Sequence, residues 1–238
     1  NLVAVRISLP ALIFIKIQGQ PFSTDALFPI IMPWVLFFAT IAIIYLINLF
    51  YPLNRATRGL LIILAGTGNT SFVGFPLITA LMGDDQYLQY AIFYDQSNFI
   101  LLFTLGIFLA DHYTGKAAKP AESLVRLLRF IPIQALIIAL LLRPFSIPMP
   151  LLYTLDQFAQ LITPLTMISV GASLRLPKSW SLLSPLFIGL FIKLILLPLI
   201  TFSVLRFLYR APILEINQVV LLQSAMAPMV LATVIARE

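Results

Sequence analysis

The chain has 238 residues, 61% of them hydrophobic and only 10% charged, with a mean hydropathy of +1.02. A soluble domain carries about 25% charged residues, so this is the composition of an all-α integral membrane protein, and no nucleic-acid partner is expected. The net charge of +6 comes from basic residues scattered between apolar runs, which suits loops at an anionic membrane face, and the lack of cysteine excludes disulfides and thiolate metal sites.

A helix needs about 20 apolar residues to cross roughly 30 Å of hydrocarbon. Eight such runs occur, at about 2–17, 28–50, 59–82, 87–110, 126–143, 153–174, 182–208 and 213–236. Between them lie turn-forming stretches rich in Gly, Pro, Asn and Asp, and one longer polar loop at 111–125. Asn1 already lies inside an apolar run, without a Met or a charged leader, so neither a signal peptide nor a whole gene product is expected. Ten of the Lys and Arg residues fall on one side of this arrangement, including Arg55, Arg58, Lys116, Lys119, Arg126 and Arg129, and four on the other. The positive-inside rule makes the first side cytoplasmic, which puts the 111–125 loop in the cytoplasm of a multi-pass inner-membrane protein. Only Lys193 remains, in the middle of a run.

The third run contains three glycines, four small polar residues and a proline between Gly66 and Pro76. A continuous helix there loses propensity at each Gly and a hydrogen bond at Pro76, and hydrocarbon offers freed backbone groups no water. A broken helix lining a site is therefore expected. Three proline pairs, Pro10 with Pro164, Pro33 with Pro185 and Pro76 with Pro228, recur at offsets of 154, 152 and 152 residues. Matching spans five apart run in opposite directions, which predicts an inverted repeat, residues 1–125 against 126–238. Inverted repeats with paired broken helices are the plan of many secondary transporters, whose sites lie at mid-membrane between the breaks.

Pro10-Ala11-Leu12-Ile13-Phe14, Gly68-Asn69-Thr70-Ser71-Phe72-Val73-Gly74-Phe75-Pro76 and Lys193 to Pro198 together resemble the auxin efflux carrier family in its bacterial form. The resemblance implies a ten-span fold similar to that of the bile-acid sodium symporters, built of two inverted five-span repeats with crossed broken helices. About eight spans are present here, the first and last of the family pattern being absent from the two repeats. It further implies that Asn69 and Pro76 mark one crossover, that Gln223, Ser224 and Pro228 mark the other, and that the crossover unit moves against a scaffold as an elevator. Family substrates are organic anions, auxin-like acids or carboxylates such as malate and malonate; a homodimer is a further expectation.

Site roles can be weighed on residue type. Asn69, Thr70, Ser71 and the backbone freed at Gly74 and Pro76 can bind a carboxylate, or merely satisfy a kink. Asp95, with Gln96 and Asn98 in the same run, is an intramembrane carboxylate suited to sodium, to a proton or to pairing with Lys193. Lys193 in turn suits either a substrate carboxylate or a structural ion pair. No cofactor other than a coupling ion is expected. Alternatives are a sodium-coupled symporter of bile-acid-like anions, and a channel or sensor on a transporter fold. An intramembrane protease is disfavoured, because His112, the single histidine, lies outside the runs and no carboxylate cluster has metal-ligand spacing.

Overall fold

The computed structural model describes residues 3–18, 26–83, 86–114, 120–173, 183–208 and 215–228. Helices account for nearly all of them, and the only extended pairing among these residues is one isolated bridge. The helices are α1 (Leu9–Gln18), α2 (Leu27–Phe50), α3 (Arg55–Gly66), α4 (Phe75–Met82), α5 (Gln86–Leu101), α6 (Ile107–Thr114), α7 (Pro120–Arg129), α8 (Ile131–Leu142), α9 (Met149–Gln160), α10 (Ile162–Ser173), α11 (Leu183–Phe191), α12 (Leu197–Leu208) and α13 (Glu215–Ser224). Single turns of π-helix, Ala4–Ser8, Thr70–Gly74, Leu102–Gly106 and Ile192–Leu196, lead into α1, α4, α6 and α12.

Three apolar helices are long enough to cross a bilayer: Leu27–Phe50, Tyr87–Tyr113 and Ser184–Phe207. At 1.5 Å per residue, the 24 residues of α2 extend about 36 Å, more than the hydrocarbon thickness. The expectation of an all-α integral membrane protein is borne out. Of the remaining runs, 2–17 is one short helix, the π turn and α1, and the others are interrupted. The 59–82 run is interrupted at 67–69, the 126–143 run at Phe130, where the backbone turns extended, and the 153–174 run at Leu161. The 213–236 run ends as a helix at Ser224, and its part beyond 228 lies outside the described residues.

The polar loop expected at 111–125 is corrected. Helix α6 continues to Thr114 and α7 begins at Pro120, so helix occupies all but the short stretch 115–119, which lies outside the described residues. The physical reason is that α7 is strongly amphipathic. Its charges made it read as a loop, whereas Pro120 in the first turn, Glu122 near the N-terminus and Arg126 and Arg129 in the last turn all favour a helix. Asp156, near the start of the 153–174 run, sits in the second half of α9, where its carboxylate accepts from Gln160 at 2.7 Å.

The π turns have a local cause. Those at Ala4–Ser8, Thr70–Gly74 and Ile192–Leu196 each end two residues before a proline, Pro10, Pro76 and Pro198. A proline ring clashes with the carbonyl four residues back and donates no bond to it. Widening the preceding turn relieves both problems without ending the helix.

Packing forms one core around α1, α5, α8 and α9 and a second around α2, α3, α5, α6 and α12. Helix α5 takes part in both. Asn54 caps α3, accepting the Thr57 amide at 2.7 Å, a contribution of about 1 kcal/mol. At the other end of α3, Gly66 is pressed against the ring of Phe37, where a Cβ would stand 2.5 Å from the nearest ring carbon. Gly66→Ala should therefore destabilise the fold by about 1–3 kcal/mol, read as a lower Tm in detergent. Gly171→Ala, which meets only open space, should leave Tm unchanged or raise it.

Candidate functional site

The site is built where the chain stops being helical at membrane depth. Helix α3 ends at Gly66, Thr67 turns extended (φ −116, ψ 148), and its hydroxyl and amide both return to the Ile63 carbonyl, at 2.8 and 3.2 Å. Asn69 has φ −80 and ψ 62, after which Thr70–Met82 resumes as helix. On the other side, α13 ends at Ser224, whose hydroxyl donates back to the Leu221 carbonyl at 2.6 Å. The two interruptions meet. Gly68 forms an antiparallel bridge with Pro228, and the Asn69 amide donates to the Ala227 carbonyl at 2.7 Å. Each break thus satisfies a backbone group that the other leaves unpaired, as a low-dielectric interior requires.

Asp95 of α5 is fully buried against this crossing. The hydroxyls of Thr70 and Ser71 both donate to its Oδ1 at 2.5 Å, and Gln96 Nε2 donates to its Oδ2 at 3.1 Å. Asn98, one turn further along α5, donates from Nδ2 to the Gly68 carbonyl at 2.9 Å. The start of Thr70–Met82 carries the positive end of a helix dipole, and the anion placed there is the protein's own Asp95. Thr70 and Ser71 were weighed as ligands of a substrate carboxylate or as partners for a kinked backbone; here their hydroxyls bond Asp95, a partner outside both readings. Gln223 of α13 donates from Nε2 to the Thr70 carbonyl at 3.4 Å and lies directly over Gly74, where a Cβ would collide with its Oε1. Glycine at 74 is therefore demanded by close approach of the second break.

Lys193 lies in the π turn between α11 and α12, is 2% exposed, and has its Nζ 3.2 Å from the place a Cβ on Gly68 would occupy. No ion pair joins it to Asp95 among the described residues, so of the two partners weighed for it, Asp95 is not the one it holds here. The crossing therefore holds a carboxyl group already bonded by hydroxyls and, against Gly68, a lysine amine with no ion pair among the described residues. Gln96 Oε1 and Gln223 Oε1 are buried acceptors without a donor. Asn69 is 6% exposed and its side chain makes no cap bond. Pro76 is buried one turn inside the helix, and Pro228 is half-buried at the bridge.

Ser97 was not singled out from the sequence. Trp34 Nε1 donates to its hydroxyl at 2.9 Å, and the hydroxyl donates to the Ile30 carbonyl at 2.5 Å, clamping α2 to α5 one residue past the Asp95–Gln96 pair. The signal was present in the polar run Tyr94–Asn98, but only packing reveals which helix receives it. A cavity of about 270 Å³ opens beside the crossing between α1, α4, α5, α9 and α10. Its lining runs from Phe75, next to the π turn, to Lys16, Thr79, Asp156, Gln160 and Thr163.

An all-helical membrane protein in which two helix breaks pair backbone to backbone around buried polar and charged side chains has the architecture of a membrane transport protein. Comparison with known proteins agrees: residues 1–238 match the membrane transport protein family, and the chain belongs to that family, which is the one containing the auxin efflux carriers that the sequence resembles. Two curated relatives are similar to it. An uncharacterized transporter of Methanocaldococcus jannaschii is 27% identical over 202 residues, covering 79% of this chain and 64% of the relative. One of Methanothermobacter thermautotrophicus is 24% identical over 178 residues, covering 74% and 58%. The chain thus spans about three fifths of the relatives' length.

The fit between Gly74 and Gln223 gives a direct test that the breaks are coupled. Gly74→Ala should lower Tm by several degrees, and Gln223→Ala by less. The double variant should be more stable than the sum of the two, because truncating Gln223 makes room for the new methyl. An interaction energy within about 0.5–3 kcal/mol is expected; additive effects would mean that the two residues do not touch.

Proposed function

We propose that this protein is a secondary carrier of small organic anions, carboxylates of the malate or malonate class or auxin-like acids, working in the inner membrane. The observation that carries this reading is the Lys193 amine beside Gly68 at the crossing of the two breaks, which has no ion pair among the described residues. An isolated ammonium at membrane depth is expensive, and a carboxylate arriving from water removes that penalty while gaining a charge-assisted hydrogen bond. The break adds polar groups suited to the same ligand, the Asn69 amide side chain and the first-turn N–H groups of Thr70–Met82.

Asp95 is assigned to the coupling ion. Its Oδ atoms, with the Gln96 and Gln223 amide oxygens that lack donors, form an oxygen-rich neighbourhood that suits sodium; a proton carried by Asp95 is the competing choice. In an elevator cycle the crossing, with Asp95, would move as a unit against α1, α8, α9 and α10, the family's scaffold-like elements. The competing reading from a different class is a channel, which needs no alternating access.

Counterflow in proteoliposomes separates these. Labelled malonate or malate should enter faster when the unlabelled acid is inside, which a channel does not produce. Lys193→Gln should raise KM at least about tenfold, the loss expected for one charge-assisted hydrogen bond, whereas unchanged KM removes the lysine from the site. Asp95→Asn should abolish accumulation driven by an ion gradient while exchange persists, and replacing sodium by choline at fixed pH tells sodium coupling from proton coupling.

A further inference from the structure

Helix α7 presents an exposed amphipathic face, distinct from the crossing. Its ten residues, Pro-Ala-Glu-Ser-Leu-Val-Arg-Leu-Leu-Arg, divide into three strips. Leu127 points inward and is buried with Phe99, Phe103 and Ile133. Leu124, Val125 and Leu128 form an adjoining apolar strip that is 52, 45 and 47% exposed, with Leu124 and Leu128 one turn apart. Arg126 and Arg129 lie on the opposite flank, both exposed, with Glu122 the only acid on the helix. Phe130 then leaves helical backbone (φ −74, ψ 115), so α7 is not an extension of α8. The Leu128 carbonyl at the bend is held by Gln134 Nε2 at 2.9 Å. The exposed apolar strip is followed along the chain by exposed Ile137, Ile138 and Leu141 on α8, so lipid-facing surface lies on both sides of the bend.

We infer that α7 lies in the plane of the membrane, with Leu124, Val125 and Leu128 among the acyl chains and Arg126 and Arg129 bound to the phosphates of anionic phospholipids. Short amphipathic helices with an apolar strip flanked by basic residues take this position, and long Arg side chains reach from the acyl boundary to the headgroups. The partner chemistry is fixed by charge: two guanidiniums against one carboxylate favour a phosphodiester surface of net negative charge over a zwitterionic one. The contact has a mechanical consequence. Phe130, between α7 and α8, packs its ring at a tilt against Phe99 and Phe103 at centroid distances of 4.7 and 5.1 Å. These two residues flank the end of α5, the helix that carries Asp95, so lipid held by α7 bears on the helix of the crossing.

The chain contains no cysteine, so Leu128→Cys can carry a single environment-sensitive fluorophore on the full chain in nanodiscs. With phosphatidylglycerol at about 30% in phosphatidylcholine, emission should shift to the blue and be quenched by lipids spin-labelled near the headgroup; about 1 M NaCl should weaken the effect of phosphatidylglycerol by screening. In the Arg126→Gln/Arg129→Gln background, the fraction of phosphatidylglycerol giving the half-maximal shift should rise at least about fivefold. A label that emits as in water in every lipid overturns the in-plane placement. A label that is immersed but indifferent to phosphatidylglycerol, or to loss of both arginines, overturns the headgroup assignment. As an independent measure, added phosphatidylglycerol should raise the Tm of the detergent-solubilised chain more than that of the double variant; equal rises count against the proposal.

Discussion

The structure depends on one constraint, that backbone groups released from helices at membrane depth must find partners inside the protein. The Asn69 amide and the Ala227 carbonyl meet that demand for each other across the crossing. In water each interruption would be tolerable alone, because solvent satisfies loose ends; in hydrocarbon neither is. Two local sequence defects therefore become one tertiary feature. The close packing that follows, with Gln223 over Gly74 and Lys193 against Gly68, is a consequence of bringing two backbones within hydrogen-bonding distance.

The electrostatics of the crossing follow from the same arrangement. A helix that begins at Thr70 presents the positive end of its dipole, and Asp95, with three side-chain donors, occupies that position. Its charge is thereby dispersed without use of Lys193. The lysine amine instead stands against the Gly68 backbone.

Proline works at two levels in this chain. Locally, Pro10, Pro76 and Pro198 each widen the turn before them into π-helix without ending the helix. This puts Thr70, Ser71 and Lys193 inside π turns, where side-chain directions depart from the regular 3.6-residue spacing. Globally, Pro76 and Pro228 mark the two interruptions that meet. The rule that prolines are common in membrane helices conceals this division of labour, because the sequence shows the residue and not which carbonyl it displaces.

The sequence by itself determined the class of the protein, its apolar spans and the place of the main break. Those depend on composition and on the chemistry of Gly and Pro, which act over a few residues. The polar run Tyr94–Asn98 and Lys193 were also visible, because charge inside an apolar run needs no structure to be noticed. The tertiary structure alone decided which of these groups face one another: Thr70 and Ser71 hold Asp95, Asn98 holds Gly68, Gln223 covers Gly74, and Lys193 stands apart from Asp95. It also decided that α7 is a helix rather than a loop, since its charged face reads as solvent-seeking until a packed Leu127 and an exposed apolar strip appear on the other faces. The physical reason is range. Propensity and hydropathy are properties of neighbours along the chain, whereas the pairing of two breaks more than 150 residues apart is decided only when packing brings their unpaired backbone together.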